Sequence, residues 1–185
     1  FEGKGDGWVE KTLQEVCEKI TDGTHQTPTY FDDGVVFLSS RNVTSGKIDW
    51  DNIKYIDAEQ HREMHKRVAP RRGDILLAKN GTTGVAAIVD RDTTFDIYVS
   101  LAHLRALPML KPRFLLHFIN SPAAKVQFNQ RLKGVGVPNL HLNEIREVRI
   151  SYPSDLKTQE KIISELDHLD GETRRLETTY QQKLT

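Results

Sequence analysis

A heptad stripe in the C-terminal segment limits what this chain can fold into more than any other feature. After Tyr152-Pro153-Ser154, apolar or semi-apolar residues fall at Ile162, Leu166, Leu169, Thr173, Leu176 and Tyr180, spaced 4, 3, 4, 3 and 4. That is the a/d rhythm of a coiled-coil seam. The intervening positions carry Lys161, Glu165, Asp167, Glu172, Arg174, Arg175 and Glu177, as a solvated outer face requires. The pattern predicts one long helix that docks or spaces something, with Ile162, Leu166, Leu169, Leu176 and Tyr180 as helix-pairing residues. A terminal helix folded back on its own core stays open as the other reading, because fewer than four heptads are visible.

At 185 residues, 37% hydrophobic and 28% charged, the chain fits one globular domain with an appendage. Its longest apolar runs, Ile75-Leu76-Leu77-Ala78 and Val85-Ala86-Ala87-Ile88-Val89, are strand-length, so a membrane span and a secretory signal are not expected. The single cysteine, Cys17, excludes an internal disulfide framework and fits a reducing cytoplasm. It lies in an i, i+3, i+4, i+7 stripe with Leu13, Val16 and Ile20, which predicts a buried structural thiol on a short helix. The chain starts at Phe1 and stops within the final helix, so a fragment of something longer is expected.

The net charge of zero conceals an asymmetry. Residues 1–60 hold twelve acids and six bases, whereas Ile97 to Asn143 contains no Asp or Glu against Arg105, Lys111, Arg113, Lys125, Arg131 and Lys133. A second basic cluster comprises Arg62, Lys66, Arg67, Arg71 and Arg72. Local basic segments can meet phosphates even on a neutral chain, since counterion release depends on local charge. A scatter of solvated bases would read the same way.

The elements read as mixed α and β without the regular alternation of a doubly wound sheet. Strands are expected at Val35–Leu38, near Lys47–Trp50, near Val99–Leu107 and near Glu147–Tyr152. Asp57-Ala58-Glu59-Gln60 looks like a capped helix start running to about Arg67. Strands Asp74–Lys79 and Val85–Asp90 flank Asn80-Gly81-Thr82-Thr83-Gly84, a hairpin signal. Pro112–Asn120 predicts a helix, and Ser121-Pro122 caps a second one to about Lys133, ahead of the loop Gly134–Asn139.

Enzymatic signatures are weak. The Lys79–Gly84 turn lacks the Gly-Lys-Ser/Thr end and following helix of a P-loop, and Gly134-Val135-Gly136 does not suit a dinucleotide fingerprint. His61 and His65 have a zinc-compatible spacing, but no third ligand is evident, so they read as surface histidines and no metal is expected. Neither Ser39-Ser40 nor Ser100 sits in a nucleophile elbow. No Asp/Asn-Pro-Pro-aromatic segment of an amino-methyltransferase is present. A binding module fits better than a catalyst.

Several segments in order resemble one family. They are Trp8–Ile20 with Asp22-Gly23-Thr24-His25, Gly34–Leu38 with Arg41-Asn42-Val43, Arg72–Leu77 with Gly81 and Gly84, Asn120-Ser121-Pro122, Asn139-Leu140 to Ile145, and Tyr152-Pro153 followed by Gln159–Ile163. Together they resemble the DNA-specificity subunits of type I restriction-modification systems, in particular one target-recognition domain with its following helix. One departure is Ser154–Thr158, where the family usually carries a second proline and an acidic residue before the glutamine.

The resemblance implies an α+β fold: a mixed-sheet and hairpin target-recognition domain over residues 1–152, then a coiled-coil helix over 153–185. It implies a non-catalytic subunit that reads one half of a bipartite duplex DNA target. Its partners would be methyltransferase subunits, which carry S-adenosylmethionine and methylate adenine, and a restriction subunit that translocates and cleaves DNA. No cofactor is expected on this chain, and pairing of the chain with itself stays open. The expected DNA-binding residues are Thr24, His25, Gln26, Arg41, Asn42, Lys79, Asn80, Thr82, Thr83, Lys133 and Asn139, polar groups on turns near basic segments. Two alternatives remain: a helical scaffold without base readout, and the recognition end of a fused restriction-methylation enzyme.

Overall fold

Ile75 and Leu77 point into one hydrophobic cluster and Leu76 and Ala78 into another, because successive side chains leave opposite faces of a strand. A strand buried on both faces needs cover on both sides, which explains its unbroken apolar run. The computed structural model describes residues 5–43, 46–81, 83–132 and 139–184. In chain order its elements are β1 (Trp8–Thr12), α1 (Leu13–Val16), β2 (Cys17–Asp22), β3 (Val35–Leu38), a 3-10 turn (Ser40–Val43), β4 (Lys54–Ile56) and α2 (Ala58–Arg67). There follow β5 (Ile75–Ala78), β6 (Val85–Ile88), β7 (Phe95–Ile97), β8 (Leu101–Ala106), α3 (Pro112–Asn120), α4 (Pro122–Arg131), α5 (Leu142–Arg146), β9 (Arg149–Pro153) and α6 (Leu156–Leu184).

The central sheet is antiparallel in the order β2-β8-β5-β6. One face packs on the helices through Phe114, Leu115, Phe118, Phe128 and Ile145. The other packs on a three-stranded sheet, β4-β3-β7, through Leu38, Phe95 and Ile97. A third sheet pairs β1 with β9, Trp8 opposite Pro153 and Thr12 opposite Arg149, and so ties the N-terminal strand to the one leading into α6.

Two sequence expectations are corrected. Leu13, Val16, Cys17 and Ile20 are all buried, but the helix ends at Val16 and Cys17–Asp22 is a strand paired with β8, Ile20 opposite Leu104. A short apolar run fits either period, and here the tertiary ladder prevails. Burial pushes the Cys17 thiol up to about 12, consistent with an inert side chain. Lys47–Trp50 is not a strand: the Asp49 carboxylate accepts from the Asp51 and Asn52 N–H groups at 2.9 and 3.2 Å, making a turn, and the strand comes later at β4. β7 and α5 were not anticipated.

Helix α6 starts on Asp155, whose carboxylate accepts from the Thr158 N–H at 2.8 Å, so the Ser154–Thr158 departure still supplies a cap. Gln159 anchors it from a fully buried position. Its Oε1 accepts from Lys111 N–H at 2.8 Å, and its Nε2 donates to the carbonyls of Met109 and Pro153 at 2.9 and 2.8 Å. Ile162 and Ile163 then pack against the core, and Asp167 meets Arg113 and His117 of α3 at 2.5 and 2.7 Å. Beyond this point the helix leaves the body: Leu169, Leu176 and Tyr180 are 59%, 68% and 65% exposed. The first turns thus fold back on the core, while the later positions of the stripe stand exposed. Among the described residues no helix is long and apolar enough to cross a membrane.

Candidate nucleic-acid interface

The short link Tyr98-Val99-Ser100 between β7 and β8 gathers loops that are far apart in sequence. Val99 N–H donates to the Thr24 carbonyl at 2.9 Å, and Thr24 N–H to Ile97 at 3.0 Å. Lys79 N–H donates to the Ser100 carbonyl at 3.0 Å, and Ser100 Oγ accepts from the Ser40 N–H at 3.0 Å. Leu140 N–H then reaches the Lys79 carbonyl at 2.9 Å, and Asn80 bridges Asn139. The segments around Thr24, Ser40, Lys79 and Asn139 thus share one edge of the molecule. Gly23 makes this approach feasible, because a Cβ there would lie 1.9 Å from the Ile97 carbonyl oxygen.

Not every expected residue presents its side chain to solvent. His25, Gln26 and Arg41 are exposed. Arg41 lines a concavity with Tyr30, Ser40, Lys54, Tyr98 and Ser100. Thr24 is buried, and its Oγ1 accepts from Gln26 N–H at 3.2 Å, shaping the loop. Asn42 is buried too: its Oδ1 accepts from Ser39 N–H at 2.9 Å, and its Nδ2 donates to the carbonyls of Asp49 and Asn52 at 3.3 and 3.1 Å. Lys79 is buried with its ammonium 3.2 Å from Asp22 Oδ2. These three hold the framework in this structure, because a buried polar group must be satisfied internally. Thr83 is half-buried and its hydroxyl donates to the Gly81 carbonyl at 3.2 Å. Asn80 and Asn139 each bury a side-chain oxygen that finds no hydrogen-bond partner among the described residues. Thr82 and Lys133 lie outside the described residues.

Other members were not singled out from sequence. Arg67, at the end of α2, donates from Nε to the carbonyls of Asp22 and Gly23 at 3.0 and 3.1 Å, and from Nη2 to Asp22 Oδ1 at 2.5 Å. Burial raises the affinity of the Asp22 carboxyl for a proton, but the Arg67 guanidinium and the Lys79 ammonium outweigh it and hold the group below the ordinary range. Lys54 stands 3.9 Å over the ring of Tyr30, which is 41% exposed. The only signal for Arg67 was its place in the basic cluster; Lys54 and Tyr30 carry none, because they meet through the bridge between Phe31 and Tyr55 of β4, which joins segments distant in sequence.

The acid-free stretch is also less cationic than it reads. Arg105 pairs with Asp74, Lys111 with Glu160 and Arg113 with Asp167, acids contributed by other parts of the chain. Among the described residues, exposed cations at this edge include Arg41, Lys54 and Arg67.

A sequence profile of the type I restriction modification DNA specificity domain matches residues 5–185. The chain belongs to this family. Within it, the type I restriction enzyme MjaVIII specificity subunit of Methanocaldococcus jannaschii is 22% identical over 172 residues, 90% of this chain and 40% of that protein. A putative specificity subunit of Haemophilus influenzae, S.HindORF215P, is 25% identical over 149 residues, 75% of this chain and 37% of that one. The chain thus spans about two fifths of the length of these specificity subunits. The HsdS subunit from Thermoanaerobacter tengcongensis superposes with a TM-score of 0.63 at 22% identity, covering 92% of this chain and 44% of that one. A chain from a structure of complex assembly and conformational transition of the type I R-M system gives 0.72 at 20% identity, covering 94% and 41%. These likenesses show a fold shared with both structures, which in this chain is α+β with a long terminal helix.

Proposed function

We propose that this chain reads one half of a divided duplex DNA target as part of a type I specificity subunit, without catalytic activity of its own. The observation that carries the reading is the convergence on Tyr98–Ser100 of loops presenting His25, Gln26 and Arg41, with Lys54, Tyr30 and the half-buried Asn80 alongside. A rigid backbone edge with polar tips suits base-edge contacts, and cations at its side suit phosphates. Thr82, Thr83, Lys133 and Asn139 belong to the same proposed surface, while Thr24, Asn42 and Lys79 support it from behind.

In this reading the exposed seam of α6, Leu169, Leu176 and Tyr180, pairs with another helix and sets the distance between half-sites. The chain directs methyltransferase subunits, which bring S-adenosylmethionine to adenine, and a restriction subunit, in the cytoplasm. The exposed seam equally favours a second reading, a helical scaffold without base readout. One experiment separates them: selection of bound duplexes from a random library by this chain mixed with a methyltransferase partner, at two salt concentrations. A short motif that survives the higher salt supports base readout. Binding that vanishes with salt and enriches nothing overturns it in favour of the scaffold.

A further inference from the structure

The two histidines read from sequence as surface residues are half-buried and face a third group that sequence spacing did not reveal. His61 and His65 lie one turn apart on α2, with ring centroids 4.6 Å apart. Asp96, on β7, is 1% exposed. Its Oδ2 stands 2.6 Å from His61 Nδ1 and its Oδ1 2.9 Å from His65 Nδ1. The candidate ligand atoms all lie within 4.8 Å of one another.

We infer that His61, His65 and Asp96 form a binding site for a divalent transition-metal ion, with zinc the best fit. Two imidazoles and one carboxylate are a borderline-soft donor set that suits zinc and disfavours magnesium and calcium, which prefer all-oxygen surroundings. Zinc holds nitrogen and oxygen ligands at about 2.0–2.2 Å in tetrahedral array, so donors on one ion lie roughly 3.3 Å apart. The present separations of 2.6 and 2.9 Å would open by roughly half an ångström on average to admit the ion. Each carboxylate oxygen already faces a different imidazole, so Asp96 would span the ion with both oxygens. His61 and His65, with side chains 22% and 31% exposed, leave the cluster within reach of an ion from solvent.

A second cluster, His117, Asp167 and Asp170, has similar donors but a different balance. Arg113 Nε already lies 2.5 Å from Asp167 Oδ2, so a cation occupies that carboxylate. It serves as the internal control. At the proposed site the ion would fasten α2 to β7. α2 ends at Arg67, which holds the Asp22–Gly23 loop, and β7 runs directly into the Tyr98–Ser100 link. Metal occupancy would therefore set the position of the loop-bearing edge.

The test uses the full chain without a polyhistidine tag, stripped with EDTA and titrated with Zn2+ against a chromophoric chelator. Co2+ absorption reports the ligand set in parallel. One ion per chain is expected, with a rise in melting temperature. His65→Gln should lower zinc affinity by at least about 100-fold, beyond the roughly 10–100-fold typical of losing an outer-shell partner. It should also abolish the thermal shift and the visible Co2+ band, whereas His117→Gln leaves all three unchanged. His65 is partly exposed, so its variant should fold; a circular dichroism spectrum confirms this, and His61→Gln provides a second reading. Retention of no ion by the parent chain overturns the proposal. So does zinc binding by a folded His65→Gln variant with parental affinity.

Discussion

Lys79 Nζ stands 3.2 Å from Asp22 Oδ2, and the two side chains are only 6% and 4% exposed. A lysine at a hairpin tip is ordinarily solvated; here it braces the hairpin against the Asp22–Gly23 loop from inside. Arg67 holds the other carboxylate oxygen, Oδ1, from the α2 side.

Removing one partner of a buried ion pair leaves an uncompensated charge and costs about 3–5 kcal/mol. Lys79→Ala should fall near the lower end, because Asp22 keeps Arg67. Urea denaturation would measure this. A loss under about 1 kcal/mol would mean that the ammonium readily finds water. Because the side chain lies behind the surface, any effect on DNA binding should be equal for preferred and random duplexes.

Acid should destabilise the chain through Asp22 and Asp74. Asp74 is buried, which alone would raise its pKa, but Arg105 and His103 hydrogen bonds at 2.7–2.8 Å and the Arg71 N–H hold it well below the ordinary carboxylate range. A lowered folded value means that the unfolded chain binds more protons. Stability is therefore complete above about pH 4, the ordinary carboxylate range, and is lost as pH falls toward the folded values. Asp74→Asn should lower stability at neutral pH and flatten this acid limb in melts taken from pH 6 downward. An unchanged acid slope would count against the assignment.

The two ends of the α6 stripe should respond differently. Leu176→Glu changes a side chain that is 68% exposed and should alter chain stability by no more than about 0.5 kcal/mol. It should nevertheless reduce helix-mediated association, read as a lower mass in sedimentation. Leu166→Glu places a carboxylate on the half-buried side, near Arg113 and His117, and should lower the melting temperature as well. Identical behaviour of the two variants would contradict the division of the seam.

On the proposed recognition edge, Asn80→Ala should cost ~1–3 kcal/mol on the selected duplex and relax preference at one position. Lys54→Ala should instead weaken binding to every duplex and reduce the salt slope by about one. Competition titrations at several salt concentrations distinguish the two. Equal losses on cognate and random DNA for Asn80→Ala would remove its proposed role.

What could be read in advance was local. Helix α3 follows the expected Pro112–Asn120 bounds, Ser121 accepts from Ala124 N–H at 3.3 Å to cap α4, and Asp57 accepts from Gln60 N–H at 2.8 Å to cap α2. Strands β5 and β6 form the expected hairpin. Caps, proline at a first turn and tight-turn glycines act over a few residues, so their signals stand next to the structure they cause.

The rest depended on residues brought together from a distance. Cys17–Asp22 became a strand because β8 offered it a ladder, and β7 formed because β3 lay parallel beside it. Lys79 and Asn42, both expected among the DNA-binding residues, are buried, with Asp22 paired to the first and the Asp49 and Asn52 carbonyls accepting from the second. The heptad by itself determined a long helix with one apolar side. Only the tertiary structure decided that Ile162 meets this chain's own core while Leu169, Leu176 and Tyr180 stand clear of it. The physical reason is one of range: period and capping are properties of neighbouring residues, whereas burial and charge pairing are decided by whichever distant groups the fold places opposite.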